Sequence, residues 1–164
     1  MCRAYEHREI PEDVLDRILD LAARFPSVGN TQPQEFIVIR NQTKIRLARA
    51  ALDQFYLAEA PVVIVVVSDM RRSRPRYVER GEHFYSIING AFAAMLILLA
   101  AVNEGLGAAF VGAFDDDEVR TVLGLPRAVR PIGLISIGFC AEAPTKVPRP
   151  PKERIIHYER WQGR

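Results

Sequence analysis

Between Phe84 and Asn103 the chain runs for 20 residues without a formal charge (FYSIINGAFAAMLILLAAVN). No other feature limits the fold as much. A stretch of that length is enough to cross a bilayer. Its first turns, however, hold Tyr85, Ser86, Asn89 and Gly90, and alanine is abundant in the rest. Such a composition suits a helix buried inside its own protein, since a helix apolar nearly all round must be covered on every side. Gly105 and Gly107 supply a stop. The expectation is a long buried central helix in a soluble fold, a helix that could also line a subunit interface.

The rest of the chain alternates. Pro11-Glu12-Asp13 opens a helix, with proline in the first turn and acids at the positive end of its dipole. Leu15, Ile18, Leu19 and Ala22 follow at helical spacing, and Pro26 ends the run. Phe36 to Ile39 reads as a strand, and Thr43 opens a helix carrying Ile45, Leu47, Ala48 and Leu52. Pro61 to Val67 is β-branched, as in a central strand covered on both faces. An Arg-rich loop is expected over Arg71–Arg80, then the long helix. A short strand at Ala108–Val111, a helix at Asp115–Leu123 and a strand at Pro131–Phe139 complete the body. A final helical turn is expected around Ile155–Trp161. The mixture predicts one α+β or α/β sandwich over residues 1–164.

Composition excludes several function classes. A chain of 164 residues, 49% hydrophobic, can hide roughly 70% of its unfolded surface and is expected to need neither disulfides nor a structural metal. Cys2 and Cys140 lie at opposite ends, which reads as no disulfide framework and suits a reducing cytoplasm. No charged-then-apolar leader opens the sequence. A net charge of +2 announces neither nucleic acid nor an anionic membrane as partner. His7, His83 and His157 are scattered, so no metal site is expected. Gly105-Leu106-Gly107 fails as a dinucleotide fingerprint, because it follows a helix and Phe110 stands where the third glycine belongs. The five arginines of the Arg71–Arg80 segment lie beside Asp69, Glu79 and Glu82, as in a solvated and partly ion-paired loop.

Candidate binding residues lie in loops at element ends. Pro26 to Pro33 (PSVGNTQP) joins a helix to a strand, and its composition is equally that of an ordinary turn. Gly112-Ala113 leads from a strand toward an acid-headed helix, where small residues let backbone N–H groups approach a ligand. Arg3 near the start, with Lys146, Arg149 and Lys152 near the end, could converge on an anion.

Taken in order, these segments resemble the nitroreductase family of FMN-dependent oxidoreductases. The resemblance runs through Cys2-Arg3-Ala4-Tyr5, Phe25 to Pro33, Gln54 with Ala60-Pro61, and Arg76 to Gly81. It continues through Leu99-Ala100-Ala101, Gly105 to Gly107, Val111 to Asp115, Leu123 to Pro126, Ile137-Gly138-Phe139 and His157 to Trp161. It implies a three-layer α-β-α sandwich with a mainly antiparallel sheet, forming a homodimer with FMN at the subunit interface. It implies hydride transfer from NADH or NADPH through flavin N5 to a flat electron-poor acceptor, of nitroaromatic or quinone type, in ping-pong order. The alternatives are a flavin-binding module without turnover, or another flavin reaction of the family such as reductive dehalogenation or flavin fragmentation.

By position, the resemblance assigns cofactor binding to Arg3, Pro26, Ser27, Val28, Asn30, Gln54, Gly112, Ala113 and Arg149. Arg3 matches the cation near the ribityl chain and pyrimidine edge, and Arg149 the C-terminal cation on the phosphate. Ser27, Val28 and Asn30 match the loop over the flavin, commonly reached from the other subunit. Gln54 matches a polar residue on the ring, and Gly112-Ala113 the backbone at the N5/O4 edge. No catalytic side chain is expected. The family usually opens with basic or hydroxyl residues just before the position of Met1. Either the natural start lies upstream, or phosphate binding leans on Arg3, Arg149 and Lys146. Gln34 stands where an aromatic follows Gln-Pro, and Ile88-Asn89 replaces the more usual Gln-Asp.

Overall fold

A computed structural model describes residues 1–143 and 145–162. Four strands form one sheet in the order β1-β2-β4-β3, every neighbouring pair antiparallel: β1 Gln34–Ile39, β2 Val62–Asp69, β3 Gly107–Val111 and β4 Val129–Gly138. The sandwich is therefore α+β. All of β2 is buried, as its β-branched run requires. Its alternate side chains feed two cores. Val62, Ile64 and Val66 pack with α1 (Glu12–Ala22) and α5 (Ser86–Asn103) on one face. Val63, Val65 and Val67 pack with α2 (Thr43–Ala50), α3 (Tyr56–Glu59) and α6 (Asp116–Leu123) on the other. These are the three layers. Opposite Val66 and Val67 the register shifts, leaving Ile132 as an extra residue in β4.

The charge-free stretch is the long central helix, and within one chain its burial is one-sided. Asn89, Gly90, Ala93, Ala94, Ile97, Ala100 and Ala101 of α5 face inward. Phe92, Met95, Leu99 and Val102, spaced three and four apart, are 43–68% exposed. Small residues inside and larger ones outside invert the usual amphipathic order.

Three expectations are corrected. The Arg-rich segment is not a loop but a helix, α4 (Met70–Arg80). Asp69 caps it by accepting from Arg71 N at 3.1 Å. Arg72 pairs with Glu35 and Arg74 with Glu82, so the foreseen ion pairing is present. Pro75 lies inside this helix, which kinks at Val78 (φ 47°) and passes through a π-helical turn at Gly81–Tyr85 into α5. The last helical turn falls earlier than expected, at Lys152–Arg154, where Pro150-Pro151 set up the turn. Cys2 and Cys140, distant in sequence, are joined as a disulfide with their Cα atoms 5.9 Å apart. The N-terminal segment docks beside the end of β4, through Glu6 N to Phe139 O at 2.9 Å and Ala141 N to Ala4 O at 3.0 Å.

Candidate cofactor site

The expected site residues fall into two groups. The first is strung along one line of contacts where the N-terminal segment, the α2–α3 turn and the end of β3 meet. The Arg3 guanidinium carbon lies 5.6 Å from the centre of the Tyr56 ring. Tyr56 donates its hydroxyl to Gln54 Oε1 at 2.9 Å. Gln54 Nε2 then donates to Ala51 O at 2.8 Å and to Ala113 O at 3.1 Å. Both amide protons of Gln54 are thus used within the protein, and the Ala113–Phe114 peptide is fixed by them. Burial lifts the Tyr56 phenol above its ordinary value, and the charge of Arg3 partly offsets the effect.

Gly112 and Ala113 are exposed at the end of β3. A side chain at 112 would bring its Cβ to 3.0 Å from the Phe110 ring, so the glycine also leaves room for that ring. Just beyond, Asp115 caps α6 by accepting from Asp117 N at 2.9 Å and Glu118 N at 2.8 Å. Asp115 N donates to Ala50 O at 2.8 Å, which ties this turn to α2.

Arg3 also lines a cleft of about 590 Å³ with Cys2, Glu142, Thr145, Val147 and Arg149. The sequence separates Arg3 and Arg149 by nearly the whole chain, and the docked N-terminal segment brings them to one opening. Among the described residues neither forms a salt bridge. Arg149 donates to Val147 O, at 3.2 Å. Lys146 is exposed and lies outside this lining. A second cleft of about 590 Å³ opens between Glu6–Ile10, α2 and the start of β2. There Lys44 donates to the carbonyls of Ala60 and Pro61, and burial lowers its affinity for its proton. None of the expected site residues lines that second cleft.

The second group is the Pro26–Pro33 loop. Gly29, Asn30 and Gln32 are all left-handed, with φ of 60°, 55° and 44°. A Cβ at Gly29 would collide with the Tyr77 ring. Ser27 Oγ accepts from Gln32 N at 3.0 Å, and Asn30 Oδ1 from Gln32 Nε2 at 2.7 Å. The loop is fastened to α4 and α5 rather than to the first group. Arg76 donates to Gly29 O and Arg72 to Gln32 O, each at 3.0 Å, while Val28 N donates to Asn89 Oδ1 at 2.8 Å. Pro26 is exposed at the loop's start.

Two residues that tie these groups together were not among the expected ones. Tyr56 joins Arg3 to Gln54, and its place two residues after Gln54 was the available signal. Asn89 holds the second group, and its signal was a polar residue inside an apolar helix.

A model of the nitroreductase family matches residues 1–56 and 44–139. The chain belongs to the nitroreductase family. A Thermus thermophilus protein named NADH dehydrogenase is 33% identical over 94% of this chain and 89% of its own length. A Methanothermobacter thermautotrophicus protein, provisionally named NADH dehydrogenase/NAD(P)H nitroreductase, is 32% identical over 97% of this chain and 82% of its own. The solved structure of an FMN-dependent nitroreductase from Clostridium difficile superposes with a TM-score of 0.84. It shares 25% identity and covers 98% of this chain and 94% of that one.

Proposed function

We propose that residues 1–164 are a single FMN-binding domain of a cytoplasmic homodimeric oxidoreductase. It takes electrons from NADH or NADPH and delivers them to a flat electron-poor acceptor of nitroaromatic or quinone type, in ping-pong order. The observation that carries this reading is the pair Arg3 and Arg149. Two guanidiniums that form no salt bridge among the described residues line one cleft, and Arg3 also lies against the Tyr56 ring, whose hydroxyl donates to Gln54.

These residues fit the cofactor. A phosphate monoester carries nearly two negative charges, which forked guanidiniums meet better than ammonium groups. Arg149 is the phosphate cation, and Arg3 stabilises negative charge on the cofactor's pyrimidine side. Gly112 and Ala113 offer backbone N–H groups with little side chain in the way. Gln54 acts by holding the Ala113 carbonyl, which sets the direction of the peptide that follows. Ser27, Val28 and Asn30 lie on a separate fastened loop, as expected of a site completed by a second chain. FMN held by these residues would supply the redox chemistry, carrying electrons from the nicotinamide nucleotide to the acceptor.

The test is spectroscopic. The purified protein should be yellow, anaerobic NADH or NADPH should bleach it, and a quinone or nitroaromatic should restore the colour. Colourless protein whose melting temperature does not move with added FMN would overturn the reading. A yellow protein that neither nucleotide bleaches would make it a binding module.

A further inference from the structure

Asn89 has no exposed surface, yet its side chain is not there for packing. Its Oδ1 accepts from Val28 N at 2.8 Å. A backbone N–H can only donate, so the carbonyl end of the amide must face the loop. Nδ2 is buried as well, and among the described residues no hydrogen-bond partner meets it. An unsatisfied buried donor is costly, so a residue serving packing alone would be better apolar.

The loop that Asn89 touches needs an anchor. Asn30 and Gln32 hold left-handed backbone angles without being glycine, a conformation that surrounding contacts must maintain. Arg72 and Arg76 grip the loop carbonyls from the exposed side. From the inside, Ser73 meets Thr31 Oγ1 at 3.3 Å, and Asn89 meets the Val28 amide.

We propose that Asn89 is a positioning residue for the cofactor loop. Its Oδ1 sets where Ser27 and Val28 stand, and so how that loop meets the flavin. Because Asn89 rides on α5, the loop is indexed to the helix whose outer stripe is apolar and exposed. Loop placement and subunit seating are thereby coupled through one rigid element. This rests on the cofactor reading given above.

Two measurements on the purified protein separate the possibilities. The first is hydrogen exchange at the Val28 amide, which needs no assumption about the cofactor. The second is FMN affinity, read from the quenching of free FMN fluorescence. Asn89→Leu should speed Val28 exchange at least tenfold and weaken FMN binding about tenfold, the effect of one lost hydrogen bond. Asn89→Asp keeps the acceptor oxygen and should return both to within about threefold of wild type. A purely structural role would not be rescued in this way. Should Asn89→Leu fail to fold, Asn89→Ser, too short to reach Val28, is read identically. Unchanged Val28 exchange overturns the anchor, and faster exchange with unchanged FMN affinity overturns its bearing on the cofactor. Wild-type protein that leaves FMN fluorescence unquenched overturns the cofactor reading itself, and this role with it.

Discussion

Tyr5 is 7% exposed and donates to Cys2 O at 2.9 Å, with Ser136 Oγ at 2.7 Å from the same hydroxyl. It fixes the segment that carries Arg3 onto the sheet. Burial pushes its phenol from 10.0 up to about 12, because the phenolate would lose its water. The folded state therefore holds this proton more tightly than the unfolded chain does. The stability it confers is complete below about pH 10 and is lost as pH rises toward 12. Tyr5→Phe should cost about 1–2 kcal/mol at pH 8 and weaken the alkaline decline between pH 10 and 12. Urea unfolding at both ends of that window checks it. Arg149→Ala should weaken FMN binding by about 1.5–3 kcal/mol, the scale of a charge-assisted hydrogen bond. Flavin retained undiminished through gel filtration would remove Arg149 from the phosphate. At this scale sequence motifs named candidate residues but not their partners. Gln54 and Ala113 are 59 positions apart, and Cys2 and Cys140 are 138 apart. Packing of the α2–α3 turn against the end of β3 joins the first pair, and docking of the N-terminal segment joins the second.

The elements themselves were legible where local chemistry decides them. The three acids heading α6 announced its start, and the structure uses the first, Asp115, as the cap. Asp115→Ala should cost about 1–2 kcal/mol of stability, and Asp115→Asn much less, since asparagine also caps. Midpoints of urea unfolding would rank the two. Equal losses would mean that charge against the helix dipole, rather than the hydrogen bond, does the capping. The helix α4 was not legible, for a reason that is also local. Pro75 reads as a breaker, whereas the stabilising contacts come from Asp69 and Glu35 on the strands and Glu82 beyond the kink. Four of the five arginines that would have suggested nucleic acid are spent on those acids and on carbonyls of the Pro26–Pro33 loop, and Arg80 packs against Phe84 and Tyr85.

For the whole molecule, the one-sided burial of α5 is the feature that a linear reading could not resolve. An apolar residue looks the same in sequence whether its own core covers it or a second chain does. Phe92, Met95, Leu99 and Val102 form a stripe along the helix, at the spacing by which one helix face meets another surface. The proposed homodimer would cover that stripe. Leu99 is 58% exposed in the single chain, so Leu99→Glu should cost the fold little while placing a charge in the seat of the partner. Wild type should sediment near 37 kDa, twice the 18.5 kDa of one chain, and Leu99→Glu near 18.5 kDa with its circular dichroism unchanged. The same variant tests how the site is built. The Arg3–Arg149 cleft and the Ser27–Asn30 loop are fastened to different elements, so a site drawing one group from each chain loses half its contacts in a monomer. The monomeric variant should release FMN on gel filtration. A folded monomer that keeps its flavin would show that one chain closes the site alone, with the apolar stripe of α5 serving some other contact.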